Sequence, residues 1–269
     1  MLWLPHASKL LKFVRPAGET RGKLKNVCIS GPRAARTPSG SKKGGKPILN
    51  DLQPIADRLH ETIRAAIQNY AMLEVANNDK DLIRLFNESY ESHGFATIRN
   101  ALTQTLLLQV TRCWDKHQAD RASLPSLCER LSKPGITEAL IEAAACWNPG
   151  MMLEEQNREA VRRHLEELQA DVAARFQGPA KERLNRITEF RHIFVAHNLT
   201  KELAARPQYS DLFGLLDETI PLVWKANVAI QGRNNEYDDY RRIAEKQAKD
   251  FWASVRLGQK QTQDRLLQR

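Results

Sequence analysis

Cysteine is sparse. Only Cys28, Cys113, Cys128 and Cys146 occur in 269 residues, without a Cys-x-x-Cys pair or histidines clustered at zinc spacing. This argues against a disulfide framework and against a structural zinc. Valine and isoleucine are also few, 24 together against 62 leucines and alanines, and glycine numbers 13. That balance disfavours a β-sandwich or barrel and favours helices. No run approaches the roughly 18 uninterrupted apolar residues of a membrane span. There is no glycine-rich phosphate loop, no Gly-x-Ser-x-Gly elbow and no His-Glu-x-x-His. An NTPase, a serine hydrolase and a zinc protease therefore have little support. Met1–Leu4, before Pro5, is too short for the apolar core of a secretory signal. Leu10-Leu11 among Lys9, Lys12 and Arg15 bear only a faint likeness to a transit peptide. A cytoplasmic protein without a membrane span is expected.

What is present is a charge imbalance within an ordinary composition, 42% apolar and 27% charged. Residues 1–49 hold 11 of the 41 Lys and Arg but a single acid, Glu19, a net of +10. The remaining 220 residues, with 30 bases and 31 acids, net −1. The first 49 residues also carry 6 of the 13 glycines and 5 of the 12 prolines. Such a segment cannot bury enough apolar surface to offset its ordering entropy, so a disordered basic tail is expected over 1–49. It could act as an arm with salt-sensitive affinity for nucleic acid, or be a dispensable extension or an over-long translation start.

From Asn50 the apolar period is helical. Leu52, Ile55, Leu59, Ile63, Ile67, Tyr70 and Leu73 form one stripe of about six turns. Asn78-Asp79 restart a short helix with Leu82, Ile83, Leu85 and Phe86. Phe95, Ile98, Leu102, Leu106 and Val110 mark a third helix after Gly94, reaching Cys113 or Trp114. Ser123 reads as the N-cap of a helix with Leu124, Leu127 and Leu131, stopped by Pro134-Gly135. Further helices are expected over 136–147, 151–176, 180–198, 211–230 and 236–257, with a possible kink at Pro221. The fold class is all-α, a bundle of about eight or nine helices over 50–257, followed by a flexible C-terminal tail over 258–269. The helix-borne cysteines read as small buried hydrophobes.

The informative segment is Thr188-Glu189-Phe190-Arg191-His192-Ile193-Phe194-Val195-Ala196-His197-Asn198-Leu199. On an α-helix, Arg191 and His197 would stand about 120° apart around the axis. Phe194 would lie between them, on the arc of Ile187 and Phe190. Two polar groups flanking an apolar face need partners, or they line a cleft or interface.

This pattern resembles the ribonuclease motif of the HEPN superfamily, the higher eukaryote and prokaryote nucleotide-binding domains. That motif is an Arg, a polar residue, a few further residues and a His. A second segment, Thr111-Arg112-Cys113-Trp114-Asp115 followed by Ser123-Leu124-Pro125-Ser126-Leu127, is similar to the matching helix of the abortive-infection, AbiU-type branch. The likeness spans residues 50–257. Arg and His stand five or six apart at four places, from Arg112, Arg158, Arg186 and Arg191. The last is singled out by the polar residue after Arg, the apolar filling and the flanks.

The chemistry suits these residue types. Metal-free RNA cleavage removes a proton from a 2′-hydroxyl and stabilises charge on a crowded phosphorus. A neutral imidazole accepts that proton near neutral pH, and a guanidinium can fork onto two phosphate oxygens. His197 is thus the acid/base candidate and Arg191 the phosphate binder, with His192 orienting His197 or holding a neighbouring phosphate. The resemblance implies RNA as substrate, no cofactor or metal, a homodimer with two facing motifs, and a role in phage defence or as a toxin restrained by an antitoxin. Alternatively, Arg191 pairs with an acid and His197 caps a helix end, in a non-catalytic RNA-binding or interaction module. A third reading makes the basic tail the active part, as a nucleic-acid tether.

Lesser candidates surround the motif. Lys181, Arg183 and Arg186 could track an RNA backbone or be a solvated face. Asp115 matches an acidic position of the related branch, and it could instead bind Arg112 or a helix terminus. Asn198 follows the motif histidine as possible support. Tyr237-Asp238-Asp239-Tyr240 could be a partner surface or simply a helix start.

Overall fold

The computed structural model describes the backbone of residues 46–196 and 207–267, and the side chains of 51–193 and 207–265. Most of the basic tail, and Cys28 with it, lies outside the described residues. Among the described residues there are nine α-helices, one π-helical turn and no strand.

Helix α1 (Lys46–Asn78) runs through the middle. Its stripe Leu52, Ile55, Leu59, Ile63, Ile67 and Leu73 is at most 5% exposed. It is long enough to meet α3 (Ser92–Arg112), α8 (Tyr209–Gln231) and α9 (Tyr237–Leu267) along its length. Helix α6 (Glu154–Ala174) lies on α8, and α4 (Leu124–Leu131) and α5 (Ile136–Ala144) close that side against α6. A second apolar cluster forms where α2 (Lys80–Asn87) and α3 meet α9. There Phe86 stacks on Phe95, and the buried Trp252 donates its indole N–H to the Met72 carbonyl at 2.9 Å.

Local signals set the helix starts. The Asp79 carboxylate accepts the Leu82 N–H at 2.9 Å, and the Ser123 hydroxyl accepts the Ser126 N–H at 3.2 Å. Helix α8 ends at Gly232, which takes φ +64 and donates its N–H to the Val228 carbonyl.

Several expectations are corrected. Helix α1 begins at Lys46 rather than at 50, and α3 begins at Ser92, so Gly94 lies in its first turn. Ile98 is 48% exposed, and the inner face of α3 carries Thr103, Leu107 and Thr111 instead. Helix α5 stops at Ala144, which leaves Cys146 exposed; Cys113 is buried and Cys128 half-buried. Helix α6 is shorter at both ends than expected, and Pro221 lies inside α8 without ending it. Helix α9 does not stop at Leu257. It continues to Leu267 past Gly258, so the flexible tail expected from 258 is helical that far. No described helix is long and apolar enough to cross a membrane.

Candidate functional site

The motif lies where α7 (Gly178–Phe190) changes its winding. From Arg191 to Ala196 the chain forms a π-helical turn. Such turns are uncommon and cluster at functional sites. The α-helical step used to place Arg191 against His197 therefore does not apply beyond Phe190. His197 and Asn198 fall outside the described residues. His192 is exposed.

Arg191 is held by the end of α3. Its Nη1 lies 2.8 Å from the Asp115 carboxylate and donates to the Thr111 hydroxyl at 3.2 Å. Both charged side chains are about one-fifth exposed, at 20% and 21%, so this is a sheltered pair rather than a fully solvated one. Asp115 thus pairs with Arg191 rather than with Arg112, which is exposed.

The end of α3 is itself fixed. Thr111 is buried, and its hydroxyl proton goes to the Leu107 carbonyl at 2.6 Å. That leaves oxygen lone pairs for Arg191. Trp114 is also buried and donates its indole N–H to the Thr219 hydroxyl of α8 at 2.9 Å. Thr219 repeats the device, donating its own proton to the Leu215 carbonyl at 2.6 Å. The loop after α3 returns to the same place, because the Leu124 N–H meets the Cys113 carbonyl at 2.8 Å. Burial pushes the Cys113 thiol up to about 12, with Asp115 adding to the effect. It is a packing group and not a nucleophile.

Helix α7 is fastened to α8 by charge. Arg186 reaches Asp211 at 2.9 Å, and Arg183 pairs with Glu218, which also meets Arg175 at 3.2 Å. Burial alone would raise the Asp211 carboxyl. The Gln208 N–H together with Arg186 and Arg183 outweighs it and holds the group below the usual carboxylate range. Gly214 matters here, since a Cβ would stand 3.3 Å from the Arg183 guanidinium as it crosses α8. Arg183 and Arg186 therefore face acids of α8, whereas Lys181 is exposed.

The structure thus brings Arg191 and Asp115 together, and it aligns Arg183 and Arg186 along the helix leading to them. Sequence reasoning did not mark Thr111, Thr219, Asp211 or Glu218. For Thr111 a signal existed, because it opens the segment that carries the family likeness. Among the described residues, no group of three or more His, Cys, Asp or Glu converges as for a metal ion.

The described residues form an all-helical domain, and the sequence carries an Arg-polar-x4-His segment after α7 and a Trp-Asp pair after α3, a pattern that resembles the HEPN class. The AbiU2 model of that class matches residues 49–251, and the chain belongs to this family. The match leaves out the basic tail and the last turns of α9. No curated protein and no solved structure matches the chain.

Proposed function

We propose that this protein is a metal-independent endoribonuclease of the abortive-infection type, acting on RNA in the cytoplasm. The observation that carries the reading is the placement of Arg191. The family's motif arginine opens a π-helical turn and is held at its Nη1 by Thr111 and Asp115. Its Nε and Nη2 edge is then the one to meet two oxygens of a phosphodiester.

In this scheme His197 takes the proton of the 2′-hydroxyl, whose oxygen attacks the adjacent phosphorus. Arg191 stabilises the negative charge that accumulates on the non-bridging oxygens. The bond from phosphorus to the 5′-oxygen breaks, and that oxygen takes up a proton from an acid. The products are a 2′,3′-cyclic phosphate and a 5′-hydroxyl. One helix carries one motif, so a homodimer with two motifs facing each other would supply the base and the acid together. His192 would orient His197 or bind the next phosphate. Lys181 would meet the backbone further along, Asn198 would support the histidine, and a cognate antitoxin would restrain the activity.

One observation favours a second reading, a non-catalytic RNA-binding or interaction module. The Arg191 charge is already neutralised by Asp115. Induced expression separates the two. A nuclease arrests growth, and Arg191→Ala or His197→Ala relieves the arrest at unchanged protein abundance. A binding module leaves growth the same in all three.

A further inference from the structure

Arg191 is engaged by Asp115 and by Thr111. Both partners fall on one nitrogen, Nη1: the Asp115 Oδ1 at 2.8 Å and the Thr111 Oγ1 at 3.2 Å. At that nitrogen Asp115 supplies the opposite charge and Thr111 the hydrogen-bond acceptor. Thr111 lies in the last turn of α3 and Asp115 three residues beyond its end, where the turn through Cys113 and Trp114 brings the carboxylate to the same nitrogen. The Thr111 proton is committed to Leu107, which fixes the hydroxyl as an acceptor toward Arg191. Trp114, between them in sequence, is tied to Thr219 of α8 and cannot drift.

We infer that Thr111 and Asp115 are positioning residues: together they form a two-point cradle on Nη1 that sets the direction of the Arg191 guanidinium. Neither touches the substrate. The cradle removes rotation about the Nε–Cζ bond and about the last side-chain torsions, so the opposite edge is aimed before a phosphate arrives. Preset geometry of this kind strengthens binding of the developing charge without adding a contact. The effect on rate rests on the ribonuclease reading; the restriction of the guanidinium does not.

The test uses the full-length chain with 15N-labelled arginine. In the wild type, the two Nη signals of Arg191, assigned by their loss in Arg191→Lys, are expected to be separate, because rotation about Nε–Cζ is slow. In Thr111→Val, which keeps the shape and removes the acceptor, they coalesce, and Thr111→Ser restores the separation. Asp115→Asn gives an intermediate rate of rotation. RNA cleavage is measured beside the spectra. Thr111→Val lowers kcat about tenfold to a hundredfold, the scale expected for a misaimed group, with KM within about twofold, and Thr111→Ser recovers most of it. Coalesced Nη signals in the wild type, or signals unchanged in Thr111→Val, overturn the cradle. So does an unchanged kcat in Thr111→Val when Arg191→Ala abolishes cleavage. Cleavage that survives Arg191→Ala overturns the ribonuclease role of Arg191 instead, and the spectra then decide the cradle alone.

Discussion

Arg191 and Asp115 are separated by 76 positions in the chain and by 2.8 Å in space. The pair joins the end of α3 to the first residue of the π-helical turn, so the two segments that carry the family likeness form one structural unit. Removing the carboxylate leaves a sheltered guanidinium without its counter-charge and with the Thr111 hydroxyl still at that nitrogen. Asp115→Ala is expected to destabilise the fold by about 1–3 kcal/mol, below the range for a fully buried pair because both groups keep some solvent. A urea midpoint equal to that of the wild type would contradict this.

Trp114 and Thr219 provide a second link between α3 and α8. Trp114→Phe keeps most of the ring and its edge contact with Phe176, but it removes the N–H. The expected loss is about 1–3 kcal/mol, the usual cost when a buried polar group loses its partner. The double variant with Thr219→Val should lose less than the two single changes added together, because both delete the same bond. Additive losses would show that the bond contributes nothing.

At the end of α8, Gly232 has φ +64, and a Cβ there would stand 2.8 Å from the Trp147 ring. Gly232→Ala therefore meets both a conformational penalty and a clash with a packed indole. A destabilisation of about 1–3 kcal/mol is expected, read as a lower thermal midpoint. Gly258 has open space and an ordinary helical setting, so Gly258→Ala should leave the midpoint unchanged or raise it.

Acid sensitivity follows from His164. Burial first, and then Arg163 and Lys225, hold its imidazole below the ordinary 6.5, while Glu167 opposes them. The ring packs edge-on against Trp224 at 5.1 Å. A lowered native value means that the unfolded chain takes up the proton first as pH falls. The ring's contribution to stability is therefore full above 6.5 and is lost on acidification through the native value. His164→Phe should weaken the dependence of the urea midpoint on pH between about 7.5 and 5.5. An unchanged slope would show that this ring does not drive it.

Much of the helical frame was legible in the sequence because it depends on local rules. The α1 stripe, the helix restart at Asn78-Asp79 and the Ser123 cap each follow from spacing or from one side chain. The failures were tertiary. Ile98 faces solvent because the inner arc of α3 passes through Thr103, Leu107 and Thr111. Periodicity treats hydroxyl-bearing residues as outward, yet threonine can satisfy its hydroxyl on its own helix carbonyl and remain inside. Helix α9 outruns its apolar stripe because no proline or left-handed turn stops it at Gly258. The motif arginine was visible, but its partner was not, since pairing across 76 positions depends on how α3 meets α7. Arg183 and Arg186 were equally visible as cations, while the acids that engage them sit on α8.

The central claim is that Arg191 and His197 cut RNA without a metal. It is tested most directly by incubating labelled RNA with the full-length chain in excess chelator, beside Arg191→Ala and His197→Ala at equal folded concentration. The account predicts wild-type cleavage that leaves a 2′,3′-cyclic phosphate, and a loss of at least about a hundredfold in each variant, the scale for removing an acid/base or a charge-stabilising group. Intact RNA with the wild type, or cleavage undiminished in either variant, would contradict it.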